Sequence, residues 1–162
     1  MHHIWSPWRM KYIEEIDTGD AGGCIFCNKP KEAKDRENLI VHRGEKCFVI
    51  LNKFPYNNGH LLIVPYAHTC ELSDLDADTM LEMMQTVEFV VTAMKKIMRP
   101  DGFNVGMNLG RSAGAGIAEH FHLHVVPRWN GDTNFMPVIG GTKVISESLE
   151  DSYEKIKNAL ED

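Results

Sequence analysis

The chain has 162 residues, of which 43% are hydrophobic and 25% charged, with a formal net charge of −6. This composition fits one globular domain with a full core, and no stretch approaches the roughly 20 apolar residues that a bilayer span needs. The acidic balance excludes a general attraction to nucleic acid or an anionic membrane, leaving only a local basic pocket for a small phosphate ligand. The opening Met1-His2-His3-Ile4-Trp5 has no basic region followed by a long apolar run, so no secretory leader is expected and a cytoplasmic location is.

The first 20 or so residues form an aromatic arm with Trp5, Pro7, Trp8 and Tyr12, large apolar side chains suited to anchoring. Cys24-Ile25-Phe26-Cys27 follows, and four cysteines in all do not resemble a secreted disulfide framework. Residues 28–38 are charged and read as an exposed loop. Cys47 to Asn52 reads as a buried strand, Pro55-Tyr56-Asn57-Asn58-Gly59 as a turn, and His60 to Val64 as the returning strand of a hairpin. Ser73 and Asp74 are candidate caps for a long helix ending at Arg99, before Pro100. Its stripe of Met80, Met83, Met84, Val87, Val90, Val91, Met94 and Ile97 predicts a core face, with adaptable methionines also suited to subunit contacts. Phe103 to Leu109 is a further strand, and Gly110-Arg111-Ser112-Ala113-Gly114-Ala115-Gly116 a glycine-rich loop. A last helix is predicted from about Ser146 to Leu160, with Leu149, Tyr153, Ile156 and Leu160 on one stripe. Antiparallel strands with helices packed on them define an α+β domain.

Chemistry concentrates in His120-Phe121-His122-Leu123-His124-Val125-Val126, which holds three of the eight histidines. An extended chain turns alternate side chains to one face, so the imidazoles line one surface while Phe121, Leu123 and Val125 enter a core. Imidazole is nucleophilic, titrates near neutral pH and binds metals when neutral. The preceding glycines let the backbone approach an anion closely, and Arg111 and Ser112 add side-chain donors, which favours chemistry on a phosphate. Cys24-x-x-Cys27 reads as a zinc half-site or a redox pair. Zinc needs two more ligands, and His42, His60, His68 and one histidine of the row are available. A thioredoxin-like pair would open a helix within a βαβ unit, which the pattern lacks.

The pattern His-φ-His-φ-His-φ-φ, with φ apolar, resembles the signature of the histidine triad (HIT) superfamily of nucleotidyl hydrolases and transferases. The similarity extends to Leu51-Asn52, Gly59-His60-Leu61-Leu62-Ile63-Val64-Pro65 and Val125-Val126-Pro127-Arg128-Trp129. The arm from Ile4 to Tyr12 and the segment Gly140 to Ile145 resemble a narrower microbial branch that includes diadenosine tetraphosphate phosphorylases. The resemblance implies an antiparallel sheet with one long helix, organised as an arm over 1–22, a HIT domain over 23–135 and a C-terminal segment and helix over 136–162 within the same globular unit.

It also implies a mechanism. His122 would attack the α-phosphorus of a nucleotide to form a covalent phosphoramidate, which water or phosphate would then resolve. His122 must be neutral to attack, so acid should abolish that step. His124 would donate a hydrogen bond to the phosphate or leaving group. Asn108 and the backbone amides around Gly114 to Gly116 would hold non-bridging oxygens. Asn52 would meet the ribose hydroxyls, and His60 would support the reacting groups rather than react. Cys24, Cys27, His68 and His120 would bind a structural zinc, with no catalytic metal required. Many relatives place Ser, Thr or Gln shortly before the first histidine. Here Gly116-Ile117-Ala118-Glu119 stands there, so backbone donors or Ser112 must substitute. Trp129 is a candidate for stacking on a base or for ordinary packing, and Lys143 for reaching a polyphosphate tail.

The expected function is cleavage of a dinucleoside polyphosphate or related adenylate, with phosphate as an alternative acceptor in the second step. The rival is a zinc-stabilised module that binds nucleotides without turning them over. A small nucleotide and a second copy of the chain are the expected partners.

Overall fold

The structure is a computed structural model that describes residues 23–140 and 142–161. The aromatic arm expected over 1–22, with Trp5, Trp8 and Tyr12, lies outside the described residues.

Strands β1 (Ile40–Arg43), β2 (Cys47–Leu51), β3 (Leu61–Pro65), β4 (Gly102–Met107) and β5 (Leu123–Arg128) form one sheet in the order β1-β2-β3-β5-β4. All neighbours are antiparallel. Short helices α1 (Ile25–Asn28) and α2 (Asp35–Asn38) precede the sheet, and the long α3 (Ala77–Ile97) joins β3 to β4. Helices α4 (Met136–Ile139) and α5 (Leu149–Glu161) follow β5. This is the expected α+β architecture.

Every residue of β2 and β3 is buried, because both faces of the central sheet are covered. One face presents Cys47, Val49, Leu51, Leu61, Ile63, Leu123 and Val125 to α3 and α5, in a core with Met83, Val90, Met94, Tyr153 and Ile156. The other face carries Phe48, Ile50, Leu62 and Val64, packed with Phe26, Ile40 and Ile117. His124 pairs with Leu62 across the ladder, which puts its imidazole on this second face. The period-two alternation read from the sequence therefore separates core from site.

Several boundaries differ from the sequence reading. Residues 28–38 fold into helical turns rather than an open loop, because the buried Asn38 side chain donates to the Lys29 carbonyl and the Glu32 carboxylate. The cap of α3 is Asp76, whose carboxylate accepts from the Thr79 N–H at 2.6 Å. Ser73 and Asp74 instead belong to a separate 3-10 turn over Leu72–Asp74, closed off by extended Leu75. Helix α3 ends at Ile97, and its outer face exposes Met80 and Met84, so the methionine stripe is only partly core. Helix α5 begins at Leu149, because the Ser148 hydroxyl accepts from the Asp151 N–H. Ladder pairing in β5 starts at Leu123, after His120 and His122. Strand β1 has no counterpart in the sequence reading.

The turn between β2 and β3 delivers His60 and is held from three sides. Asn57 donates to the Pro127 carbonyl and to Asp132, and Asn58 donates to the Ser146 hydroxyl. Gly59 has φ of +69°, and a Cβ there would come within 2.9 Å of both Met94 and Met98. Both conditions favour glycine. Gly59→Ala should lower stability by about 2 kcal/mol. Urea unfolding checks this, with a lower midpoint and an unchanged slope as the expected result.

Candidate active site and metal centre

The extended run from His120 to His124 lies beneath α1, so burial is high: His120, His122 and His124 are all buried. Phe26, between the two cysteines, covers the row. Its ring centroid lies 5.5 Å from that of His120 and 5.2 Å from that of His122.

Backbone groups fix each imidazole. His122 Nδ1 lies 2.8 Å from the His120 carbonyl, which only accepts, so Nδ1 carries the proton and Nε2 is left with its lone pair. His120 Nε2 lies 2.9 Å from the Pro65 carbonyl, so its proton is on Nε2 and its bare atom is Nδ1. The Tyr56 N–H donates to His60 Nδ1 at 3.0 Å, which places the His60 proton on Nε2. That proton points at His124 Nδ1, 2.9 Å away. Neutral His124 must then carry its own proton on Nε2. The rings of His122 and His124 are 5.0 Å apart, so a bare nitrogen and an N–H donor stand side by side.

Burial lowers the pKa of His122, more than its bond to the His120 carbonyl raises it. The effect is stronger at fully buried His60, where burial, with the neighbouring His124, His122 and Lys143, pushes the pKa to about 3. Asn52 Nδ2 lies 3.3 Å from His60 Nδ1, and its Oδ1 accepts from the Phe54 N–H. Asn52 therefore braces His60.

The glycine-rich loop contains a 3-10 turn over Arg111–Ala113, with exposed Ser112 in it. The Gly114 and Ala115 amides are spent on the Arg111 and Gly110 carbonyls. Of the three amides from Gly114 to Gly116, that of Gly116 has no intramolecular partner among the described residues and can donate to an anion. Asn108 donates to the Gly114 carbonyl at 3.5 Å and so braces the loop. Trp129 lies beyond the far end of β5, where its indole N–H donates to the Met98 carbonyl. It stands away from the histidines.

Cys24, Cys27, His68 and His120 converge, with one ligand atom from each and all four within 4.8 Å of one another. Cys24 Sγ is 3.2 Å and Cys27 Sγ 3.6 Å from His120 Nδ1; His68 Nδ1 lies 3.3 Å from both Cys27 Sγ and His120 Nδ1. A tetrahedral ion with bonds of about 2.3 Å to sulfur and about 2.0 Å to nitrogen sets edges of roughly 3.5 Å for S···N and roughly 3.3 Å for N···N. The donor set fits such an ion, and the bare Nδ1 of His120 is the nitrogen facing it. The group can bind a metal. His42 lies elsewhere, against Phe89.

The sequence reading missed Phe26 and Tyr56. The Tyr56 ring lies 4.5 Å from His60 and stacks on His124 at 5.6 Å with planes 11° apart. The only sequence signal for either was a large aromatic immediately beside a site residue, which is also how an ordinary core or turn aromatic reads.

Comparison with known proteins agrees with this geometry. The HIT domain family model matches residues 33–131. The AP-4-A phosphorylase of Mycobacterium tuberculosis is 42% identical over 158 residues, covering 94% of this chain and 80% of that protein. A crystal structure of a Zn-bound histidine triad family protein from Mycobacterium smegmatis has a TM-score of 0.69 at 27% identity, covering 88% of this chain and 96% of that one. A hypothetical histidine triad nucleotide-binding protein from Sulfolobus tokodaii has a TM-score of 0.68 at 30% identity, over 85% of this chain and 92% of that one. The chain belongs to the HIT family. It is an enzyme of the nucleotide hydrolase and transferase type. Among the described residues, no helix is long and apolar enough to cross a membrane.

The depressed pKa of His60 has a direct consequence. An unfolded histidine takes up a proton below about pH 6.5, whereas folded His60 refuses it until about pH 3, so its contribution to stability is lost as pH falls through that interval. Nitrogen chemical shifts of His60 should remain those of a neutral ring from pH 8 to about pH 5. Protonation near pH 6 would show that burial does not hold this ring neutral.

Proposed function

We propose that this enzyme cleaves a dinucleoside polyphosphate, or a related adenylate, through a nucleotidyl-His122 intermediate, with inorganic phosphate as acceptor in the second step. The observation that carries this reading is the bare Nε2 of His122, held beside the N–H of His124 on an enclosed face. The 42% identity to an AP-4-A phosphorylase supports the substrate class and the acceptor.

His122 Nε2 forms a bond to the α-phosphorus as the bond to the bridging oxygen breaks and its electron pair leaves with the polyphosphate. A phosphate oxygen then attacks the same phosphorus and the P–N bond breaks, which returns the lone pair to His122. His124 donates from Nε2 to the departing oxygen, where charge develops. That oxygen belongs to an acidic phosphate and departs as an anion, so a hydrogen bond is enough. His60 orients this donor. The Gly116 amide holds a non-bridging oxygen, with Ser112 from the same loop and Asn108 bracing it. Asn52 faces the ribose from the His60 side.

Cys24, Cys27, His68 and His120 hold a zinc ion in this reading. When bound, the ion supplies a rigid cross-link and positive charge two residues from the nucleophile. Self-association as a homodimer is part of the proposal, supported by the exposed Met80, Leu81 and Met84 on α3 and by the apolar side chains of edge strand β4.

Incubation with diadenosine tetraphosphate should give ADP plus ATP in a phosphate-dependent reaction, and His122→Ala should lose about a thousandfold or more of that turnover. AMP plus ATP irrespective of phosphate would instead identify a hydrolase. Binding of AMP without turnover or adduct would contradict the enzymatic mechanism.

Purified protein should carry about one zinc per chain, and Cys24→Ser should lose both metal and stability. Unchanged thermal stability in rigorously metal-free protein would contradict the structural role. A monomer by light scattering at micromolar concentration would contradict the dimer.

A further inference from the structure

Two cations, Arg128 and Lys143, lie near the turn that carries Tyr56 and His60, and of the two only Arg128 is in direct contact with a carboxylate. Arg128 grips Asp132 through Nε at 2.6 Å and a second nitrogen at 3.0 Å, and also donates to Asn104. Asp132 is further occupied by the Asn57 side chain and the Trp129 N–H. Lys143 makes no ion pair among the described residues. Its ammonium donates to the backbone carbonyl of Tyr56.

That contact places the charge on a defined side of the site. Tyr56 is the residue whose ring stacks on His124 and whose N–H orients His60. Lys143 is also close enough for its charge to add to the burial that disfavours protonated His60. The segment carrying it is secured three residues on, where Ser146 accepts from Asn58 of the same turn. Lys143 is half-buried, and burial lowers its pKa. An ammonium so placed, hydrogen-bonded to one neutral carbonyl and sharing through space an Asp132 already gripped by Arg128, retains two N–H donors. Such a group is stabilised by an anion.

We propose that Lys143 is a specificity-determining residue that binds phosphoryl oxygens beyond the α-phosphate and so selects polyphosphate leaving groups over uncharged ones. This rests on the mechanism proposed above. His122 attacks in line, so the leaving group departs opposite His122, on the side served by His124. The acceptor of the second step must enter from that same side, because the P–N bond it breaks points back to His122. One ammonium there therefore receives both the departing polyphosphate and the entering phosphate. No new bond is made by Lys143; it contributes charge and hydrogen bonds.

The test compares full-length wild type, Lys143→Met and Lys143→Arg on diadenosine tetraphosphate and on adenosine 5′-phosphoramidate, whose leaving group carries no phosphate. The ratio of kcat/KM for the first substrate over the second should fall about 10- to 100-fold in Lys143→Met and be largely restored in Lys143→Arg. An unchanged ratio, whether from equal losses on both substrates or from no loss, would overturn the proposal.

Calorimetric titration with inorganic tripolyphosphate gives a readout independent of turnover. Binding should weaken about tenfold or more in Lys143→Met, and equal affinity in both proteins would overturn the proposal. If the wild type turned over neither nucleotide, the mechanism above would fail, while this titration would still decide whether Lys143 binds a phosphate chain.

Discussion

A backbone N–H donates and never accepts, and at Tyr56 this fixes the direction of a chain of imidazole hydrogen bonds. Its donation to His60 Nδ1 places the proton of His60 on Nε2 and hence the proton of neutral His124 on Nε2. At the other end of the row, carbonyls do the complementary work. The His120 carbonyl takes the proton of His122 Nδ1, and the Pro65 carbonyl that of His120 Nε2. Three neighbouring imidazoles thus present three different groups: a lone pair facing the thiols at His120, a lone pair on Nε2 at His122, and an N–H donor at His124. Burial strengthens the arrangement, because it disfavours the charged rings that would scramble it.

The sheet makes this economy possible. Because β2 and β3 are covered on both faces, the helices on one side supply the bulk of the core and the other side is free to carry polar chemistry under a small apolar cover. Phe26 ties the two centres together. It lies within the Cys24-x-x-Cys27 turn, and its ring packs against both His120 and His122. A metal held by those cysteines and His120 would fix the positions of Phe26 and of His122 together.

Much of this was legible in the sequence because the decisive signals are periodic. Alternation over His120 to Val125 separated core from site, and the β2–β3 hairpin followed from two apolar runs around a Pro-Tyr-Asn-Asn-Gly turn. The four residues that converge into a group able to bind a metal were brought together only through family resemblance, since Cys24 and His120 are 96 residues apart and spacing cannot join them. What escaped depends on details that periodicity does not encode. Helix starts shifted to Asp76 and Ser148 because cap geometry, not residue type alone, chooses among neighbouring candidates. Strand β1 is only Ile40–Arg43, too short to show a pattern. Of the amides from Gly114 to Gly116, those of Gly114 and Ala115 close the loop itself, which spacing could not show.

The account stands on the tautomer of His122. Nitrogen-15 correlation spectra of histidine-labelled, metal-loaded protein at neutral pH report it directly, through the distinct shifts of protonated and bare ring nitrogens. The structure predicts a proton on Nδ1 of His122 and a bare Nε2, beside a His124 protonated on Nε2. A His122 ring protonated on Nε2 would have its lone pair only on Nδ1, against the His120 carbonyl, and that result would contradict the proposal of His122 as nucleophile.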